Sequence, residues 1–254
     1  MQHKRIGKGN THPGNVRKKN EDTIVIHDDE IGILHNVYIV ADGMGGHKSG
    51  EVASQSAAAN IMNFLNGAVG NGEAISQNLL RDAVSFANSM VFNMASTEKK
   101  HRGMGTTVSI CSRDDNNMYY AHVGDGRIYV LRNGVLKQVS EDHTLVNELL
   151  RHGSITDAEA QNHPKRNIIT RAVGTERTVE IDCGYLPMKD NEIILICSDG
   201  LNDMIEDKKI WEILTSNKHS GVEESIEIKQ KCVDELIAAA IEAGGKDNIS
   251  VILI

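Results

Sequence analysis

The sequence predicts an α+β fold in which antiparallel sheets are covered on their outer faces by helices. Three observations carry that prediction. Short apolar or alternating runs recur along the chain, several joined by turn residues of the hairpin kind. Two segments of helical period follow the early runs back to back, and a third precedes the last run. Only three prolines occur (Pro13, Pro164, Pro187), and no linker-like stretch or internal repeat interrupts the 254 residues. A single domain spanning 1–254 is expected.

Taken in order, strands are expected at 23–27, 37–41, 106–111, 118–123, 127–131, 135–139, 179–186, 192–197 and 249–254. Asp115-Asn116-Asn117, Gly124-Asp125-Gly126 and Asn133-Gly134 separate several of them. Asn133-Gly134 is the strong hairpin signal, because both residues tolerate positive φ. From Ser49, the residues Val52, Ala53, Ala57, Ile61, Phe64 and Leu65 share one helical face, with Gly67 as a stop. From Glu73, Ile75, Leu79, Ala83, Ala87, Met90, Val91 and Met94 do the same, and Met90 and Met104 read as core or core-adjacent. Val222, Ile226, Val233, Ile237, Ala240 and Ile241 form a third stripe, ended by Gly244-Gly245. Shorter helices are expected at 144–151 and 206–215.

The formal net charge is −8 and the one basic run is Arg17-Lys18-Lys19, so no nucleic-acid partner is expected. Residues 1–10 are polar without an apolar signal core, and no stretch reaches membrane-spanning length, so no membrane contact is expected either. Cys111, Cys183, Cys197 and Cys232 are widely spaced, and Cys197 lies in an apolar run that suits a reduced, buried thiol. A cytoplasmic location follows, and a monomer is expected.

Acidic residues recur just beyond apolar runs: Asp42-Gly43, Asp125-Gly126, Asp199-Gly200, and Asp247-Asn248 immediately before the final strand. Any one of these pairs reads equally as a turn former. As a set at neighbouring strand ends they would repel unless a divalent cation sat among them, and hard cations such as Mg²⁺ and Mn²⁺ take such oxygen ligands. No HExxH or CxxC spacing favours zinc.

The stretch from Thr11 to Asp22, THPGNVRKKNED, resembles the opening motif of the PPM (type 2C) protein phosphatase family. Val40 to His47, VADGMGGH, resembles its second motif. Gly103-Met104-Gly105-Thr106-Thr107, Val123-Gly124-Asp125-Gly126-Arg127, Ser198-Asp199-Gly200-Leu201 and Gly244 to Ile249 follow in the family's order. The resemblance spans nearly the whole chain, and bacterial members are closest in length and wording. It implies a β-sandwich of two antiparallel sheets flanked by pairs of α-helices. It also implies a serine/threonine phosphatase that acts on phosphorylated proteins with Mn²⁺ or Mg²⁺ and opposes a bacterial Ser/Thr kinase.

Residue by residue, the resemblance implies that Asp42 bridges two ions and that the Gly43 carbonyl ligates one of them. Asp199 and Asp247 would hold the other. Asp22 and Glu21 would bind metal-bound waters or a metal directly, and Asp125 with Asp199 resembles the third-ion site of bacterial relatives. Arg17 would grip the phosphate, since a guanidinium fork matches two oxygens. Two cations about 4 Å apart can acidify a shared water and clamp phosphoryl oxygens. No CxxxxxR nucleophile loop is present.

Met44 stands where many eukaryotic relatives carry histidine, which leaves His47 or a metal-bound water as the acid for the leaving group, with an orienting role for His47 equally open. His12 reads as structural. Asp142 either belongs to a motif of bacterial relatives, Asp142-His143, or caps the helix beginning near Thr144. The segment 142–178 is implied to form a mobile flap beside the site. Its Arg151, His152, Lys165, Arg166 and Arg171 would contact a phosphopeptide or simply be solvated. The rival to catalysis is a non-catalytic phosphoprotein-binding member of the same fold.

Overall fold

The computed structural model describes residues 5–46, 49–68, 77–161, 163–189, 191–216 and 222–254. His47 and the expected helix start at Glu73 and Ile75 lie outside the described residues. In chain order the elements are β1 (Lys8–His12), β2 (Asp22–His27), β3 (Val37–Met44), α1 (Ser49–Asn66), α2 (Gln77–Thr97), β4 (Gly105–Thr106), β5 (Val108–Arg113), β6 (Asn117–Val123), β7 (Arg127–Arg132) and β8 (Val135–Gln138). There follow α3 (Leu145–Arg151), α4 (Asp157–Gln161), β9 (Asp182–Pro187), β10 (Ile193–Cys197), α5 (Asp199–Asn202), α6 (Asp207–Ser216), α7 (Val222–Glu242) and β11 (Ile249–Leu253).

The strands form two antiparallel sheets, ordered β1-β11-β10-β7-β8 and β2-β3-β5-β6-β9, with β4 paired to the end of β3. Side-chain parity explains how they stack. On β3, Val37, Ile39 and Ala41 pack with Ala53, Ala57 and Ile61 of α1 and Leu80, Val84 and Val91 of α2. Tyr38 and Val40 face the other way and meet Ile128, Ile194, Ile196 and Ile252 of the opposite sheet. Leu195, Cys197, Val251 and Leu253 in turn face Ile210 of α6 and Val233 and Leu236 of α7. The result is four layers, helices–sheet–sheet–helices. Central strands covered on both faces read as unbroken apolar runs, because no face is left for polar residues.

Several local expectations change. β1 is a polar strand at the sheet edge, held by β11 alone. The run 106–111 is two strands, because Thr107 turns aside to donate its N–H to the Asp42 carbonyl at 2.8 Å. Strand 179–186 begins only at Asp182. Asp199-Gly200 opens the short helix α5. In α2, Leu80 and Val84 fill the core, whereas Met90 is 41% exposed. Met104 is buried as expected.

Candidate metal centre

The same parity builds the site. Tyr38 and Val40 point into the space between the sheets, and Asp42 is the next residue in that row. Ile24 and Ile26 pack on the same inter-sheet core, and Asp22 continues their row directly opposite Asp42. The apolar filling of the sandwich therefore gives way to carboxylates at one end. Asp199 arrives there at the first turn of α5, just after β10, and Asp247 sits just before β11.

The acids of the β2–β3 pair are held from behind. Ser198 Oγ and Ser250 Oγ both donate to Asp22 Oδ2, at 2.9 and 2.6 Å. With its proton on Asp22, Ser250 accepts from Thr11 Oγ1 at 2.7 Å, and Thr11 accepts from Asn20 Nδ2 at 2.7 Å. The Asp42 backbone is fixed by Thr107: its N–H donates to Thr107 Oγ1 at 3.1 Å, while Thr106 Oγ1 donates to its carbonyl at 2.8 Å. Gly43 and Gly50 are needed for close approach, since a Cβ on Gly43 would strike the Gly50 carbonyl.

Asn248 organises the loop that carries Arg17. Its Oδ1 accepts from the Glu21 N–H at 2.8 Å, and its Nδ2 donates to the Pro13 and Lys19 carbonyls at 3.0 and 2.8 Å. Arg17 Nη2 reaches Asp247 Oδ2 at 2.6 Å while the guanidinium stays more than half exposed. His12 takes the structural role expected of it: Nδ1 accepts the Gly14 N–H at 2.9 Å. Asp142 does not cap the following helix. Thr144 does, accepting the Asn147 N–H, while Asp142 takes a fork from Arg127 Nε and Nη2 at 3.0 and 2.7 Å. Arg171 is spent within the fold, paired with Glu180 and Asp182, both at 3.0 Å.

Electrostatics mark this end of the molecule. Burial, reinforced by neighbouring carboxylates, pushes Asp22 up to about 6 and Asp125 up to about 7. Asp42 and Asp199 are driven well above the usual carboxylate range, first by burial and then by the other acids of the group. The hydrogen bond to Asp247 raises Arg17 further. Among the described residues, four buried carboxylate oxygens have no hydrogen-bond partner: Glu21 Oε1, Asp22 Oδ1, Asp125 Oδ1 and Asp199 Oδ1. Buried oxygens without donors are what a hard divalent cation satisfies, so the residues fit Mn²⁺ or Mg²⁺. Among the described residues no three acidic, histidine or cysteine side chains yet close on one point as ligands of a single ion, and Asp247 is turned to Arg17.

The helices–sheet–sheet–helices fold with carboxylates at one end defines the class. The chain matches the Protein phosphatase 2C family over residues 11–236 and belongs to that family. It is 37% identical to the serine/threonine phosphatase stp of Listeria monocytogenes over 96% of this chain and 93% of that one. The Mycobacterium tuberculosis serine/threonine phosphatase PstP/Ppp superposes with a TM-score of 0.82 at 32% identity, covering 97% and 96% of the two chains. The catalytic domain of PstP in complex with two manganese ions superposes at 0.78 with 31% identity, covering 97% and 96%. The protein is a metal-dependent serine/threonine phosphoprotein phosphatase. Among the described residues no helix is long and apolar enough to cross a membrane.

The residues read from the sequence thus gather at one place: Arg17, Asp22, Asp42, Gly43, Asp199 and Asp247, with Asp125 beside Asp199. The groups behind them had no role assigned from the sequence: Thr11, Ser198, Asn248 and His143 stand within or beside the quoted motifs, and Ser250 and His122 stand outside them. Serine and asparagine beside an Asp-Gly or before a strand give no signal of their own.

Proposed function

We propose that the acidic end of the sandwich is the catalytic centre, and that it holds two divalent cations, Mn²⁺ or Mg²⁺, through Asp22, Asp42, the Gly43 carbonyl, Asp199 and Asp247. A third ion is assigned to Asp125 with Asp199. The substrates are phosphoserine and phosphothreonine proteins, and the activity opposes a serine/threonine kinase. A monomer working in the cytoplasm, with no nucleic-acid partner, fits the net charge of −8. One observation carries the reading: four partnerless buried carboxylate oxygens beside an exposed arginine.

When bound, the cations supply an acidified water and neutralise phosphoryl charge. The chain's own part is positioning. Ser198 and Ser250 hold one oxygen of Asp22 and leave Oδ1 directed at the site. Asn248 anchors the Arg17 loop, so the guanidinium meets the phosphate from beside Asp247 instead of searching for it. Thiol catalysis is disfavoured: burial pushes Cys197 up to about 12, and Cys111 rises for the same reason. His47 or a water protonates the departing alkoxide. Stripping with EDTA should abolish hydrolysis of a phosphothreonine peptide, and Mn²⁺ should restore it. Undiminished turnover by the stripped protein would overturn the reading. A non-catalytic binding role would leave both preparations inert.

A further inference from the structure

The turn that carries Asp125 is gripped by two histidines. His122 Nε2 lies 3.0 Å from the Gly124 carbonyl, and since a carbonyl only accepts, this nitrogen bears the proton. His143 makes the complementary contact. The Gly124 N–H donates to its Nδ1 at 3.0 Å, so Nδ1 is bare and the proton sits on Nε2, which faces Asp182 Oδ2 at 3.2 Å. The His143 backbone N–H also donates to the Gly124 carbonyl at 2.8 Å, so the residue brackets the Gly124 peptide from both sides. Its imidazole is 4% exposed.

His143 is also where both ends of the 142–171 segment are tied together. The Thr170 N–H donates to the His143 carbonyl at 2.8 Å, and the Leu145 N–H to the Ile168 carbonyl at 2.9 Å. Arg171 Nη1 binds Asp182 Oδ1 at 3.0 Å, beside His143 Nε2. Arg127, two residues beyond Asp125, forks onto Asp142. One residue, through its backbone and its imidazole, thus joins the base of this segment to the turn presenting Asp125.

We propose that His143 is a positioning residue for the ion at Asp125: by accepting the Gly124 N–H it fixes the turn that aims the partnerless Asp125 oxygen. The inference rests on Asp125 being an ion ligand. Groups that orient a metal ligand typically change affinity about 10- to 100-fold when removed. The two arms of the imidazole can be separated. In His143→Asn the side-chain oxygen can take the place of Nδ1 and still accept from Gly124. In His143→Gln the longer side chain reaches toward Asp182 in place of Nε2 and loses the Gly124 acceptor.

The test is a Mn²⁺ binding isotherm, read by calorimetry and by electron paramagnetic resonance on the intact chain. Asp125→Asn serves as the control that removes the ion at Asp125. His143→Gln should weaken that same ion by about 10-fold, leave the other two ions and the fold's circular dichroism unchanged, and His143→Asn should bind as wild type does. Equal behaviour of the two variants, in either direction, overturns the proposal, as does loss in His143→Asn with retention in His143→Gln. If Asp125→Asn binds as many ions as wild type, the Asp125 assignment falls and takes the His143 inference with it. The two failures are therefore distinguishable.

Discussion

Asp22 and Asp42 stand directly opposite each other in the β2–β3 ladder, two carboxylates on adjacent strands facing the same inter-sheet space. Like charges so placed oppose folding, and a cation between them reverses the sign. Saturating Mn²⁺ should therefore raise the melting temperature by about 5 °C or more. Asp42→Asn should melt higher than wild type in EDTA, gain little from Mn²⁺ and lose most activity. A variant that keeps the full Mn²⁺ shift would remove Asp42 from the ion site.

Arg17 is paired with Asp247 yet more than half exposed. If it binds phosphate in the ground and transition states alike, Arg17→Ala should raise KM by about 10-fold or more with a smaller loss in kcat. A fall in kcat at constant KM would assign it to the transition state alone. Unaltered kinetics would take it out of the site.

Asn248 holds the Arg17 loop through two donors that aspartate lacks. Asn248→Asp should raise KM for a phosphopeptide roughly 10-fold, because two carbonyls lose their donors and meet a carboxylate. The double variant with Arg17→Ala should be scarcely worse than Arg17→Ala alone. Additive losses would show that Asn248 acts independently of the loop.

His122 is buried, and desolvation pushes it down to about 4, against about 6.5 for an exposed histidine. Between these values the unfolded chain binds a proton that the fold refuses. The stability at stake is fully present above pH 6.5 and is lost as pH falls toward 4. The raised carboxylates act oppositely in metal-free protein, but they are common to wild type and His122→Gln and cancel in the comparison. Urea unfolding in EDTA should show the wild-type advantage shrinking by about 3 kcal/mol from pH 7 to pH 4. A pH-independent difference would mean that His122 takes up its proton in the fold as readily as in the unfolded chain.

If His47 rather than a water protonates the alkoxide, its loss should matter most for a poor leaving group. Phosphoserine has a poor leaving group and p-nitrophenyl phosphate a good one. His47→Ala should slow a phosphopeptide about 100-fold more than the aryl phosphate. Equal loss on both would make it an orienting group, and no loss a bystander.

What the sequence disclosed follows from which forces are local. β3 and β10 were legible because burial on both faces leaves a continuous apolar run, and Asn133-Gly134 because its turn needs positive φ, found at 52° and 78°. β1 was not legible, since an edge strand pairing with one neighbour needs no apolar pattern. The stripe of α2 was displaced toward Leu80 and Val84 because tertiary packing, not helical period, decides which neighbouring apolar residue turns inward. The aspartates were legible as strand-end pairs. Ser198 and Ser250 were not, because their role depends on meeting Asp22 from 176 and 228 residues away.

β11 lies between β1 and β10, with His12 against Ile249. During translation Asp22, Asp42, Asp125 and Asp199 therefore leave the ribosome before β11, the strand that bridges β1 and β10, and Asp22 waits for the hydroxyl of Ser250. Pairing across so long a stretch of chain is slow and comes late. The acidic cluster of the nascent chain therefore stays incomplete until β11 has been made and has docked.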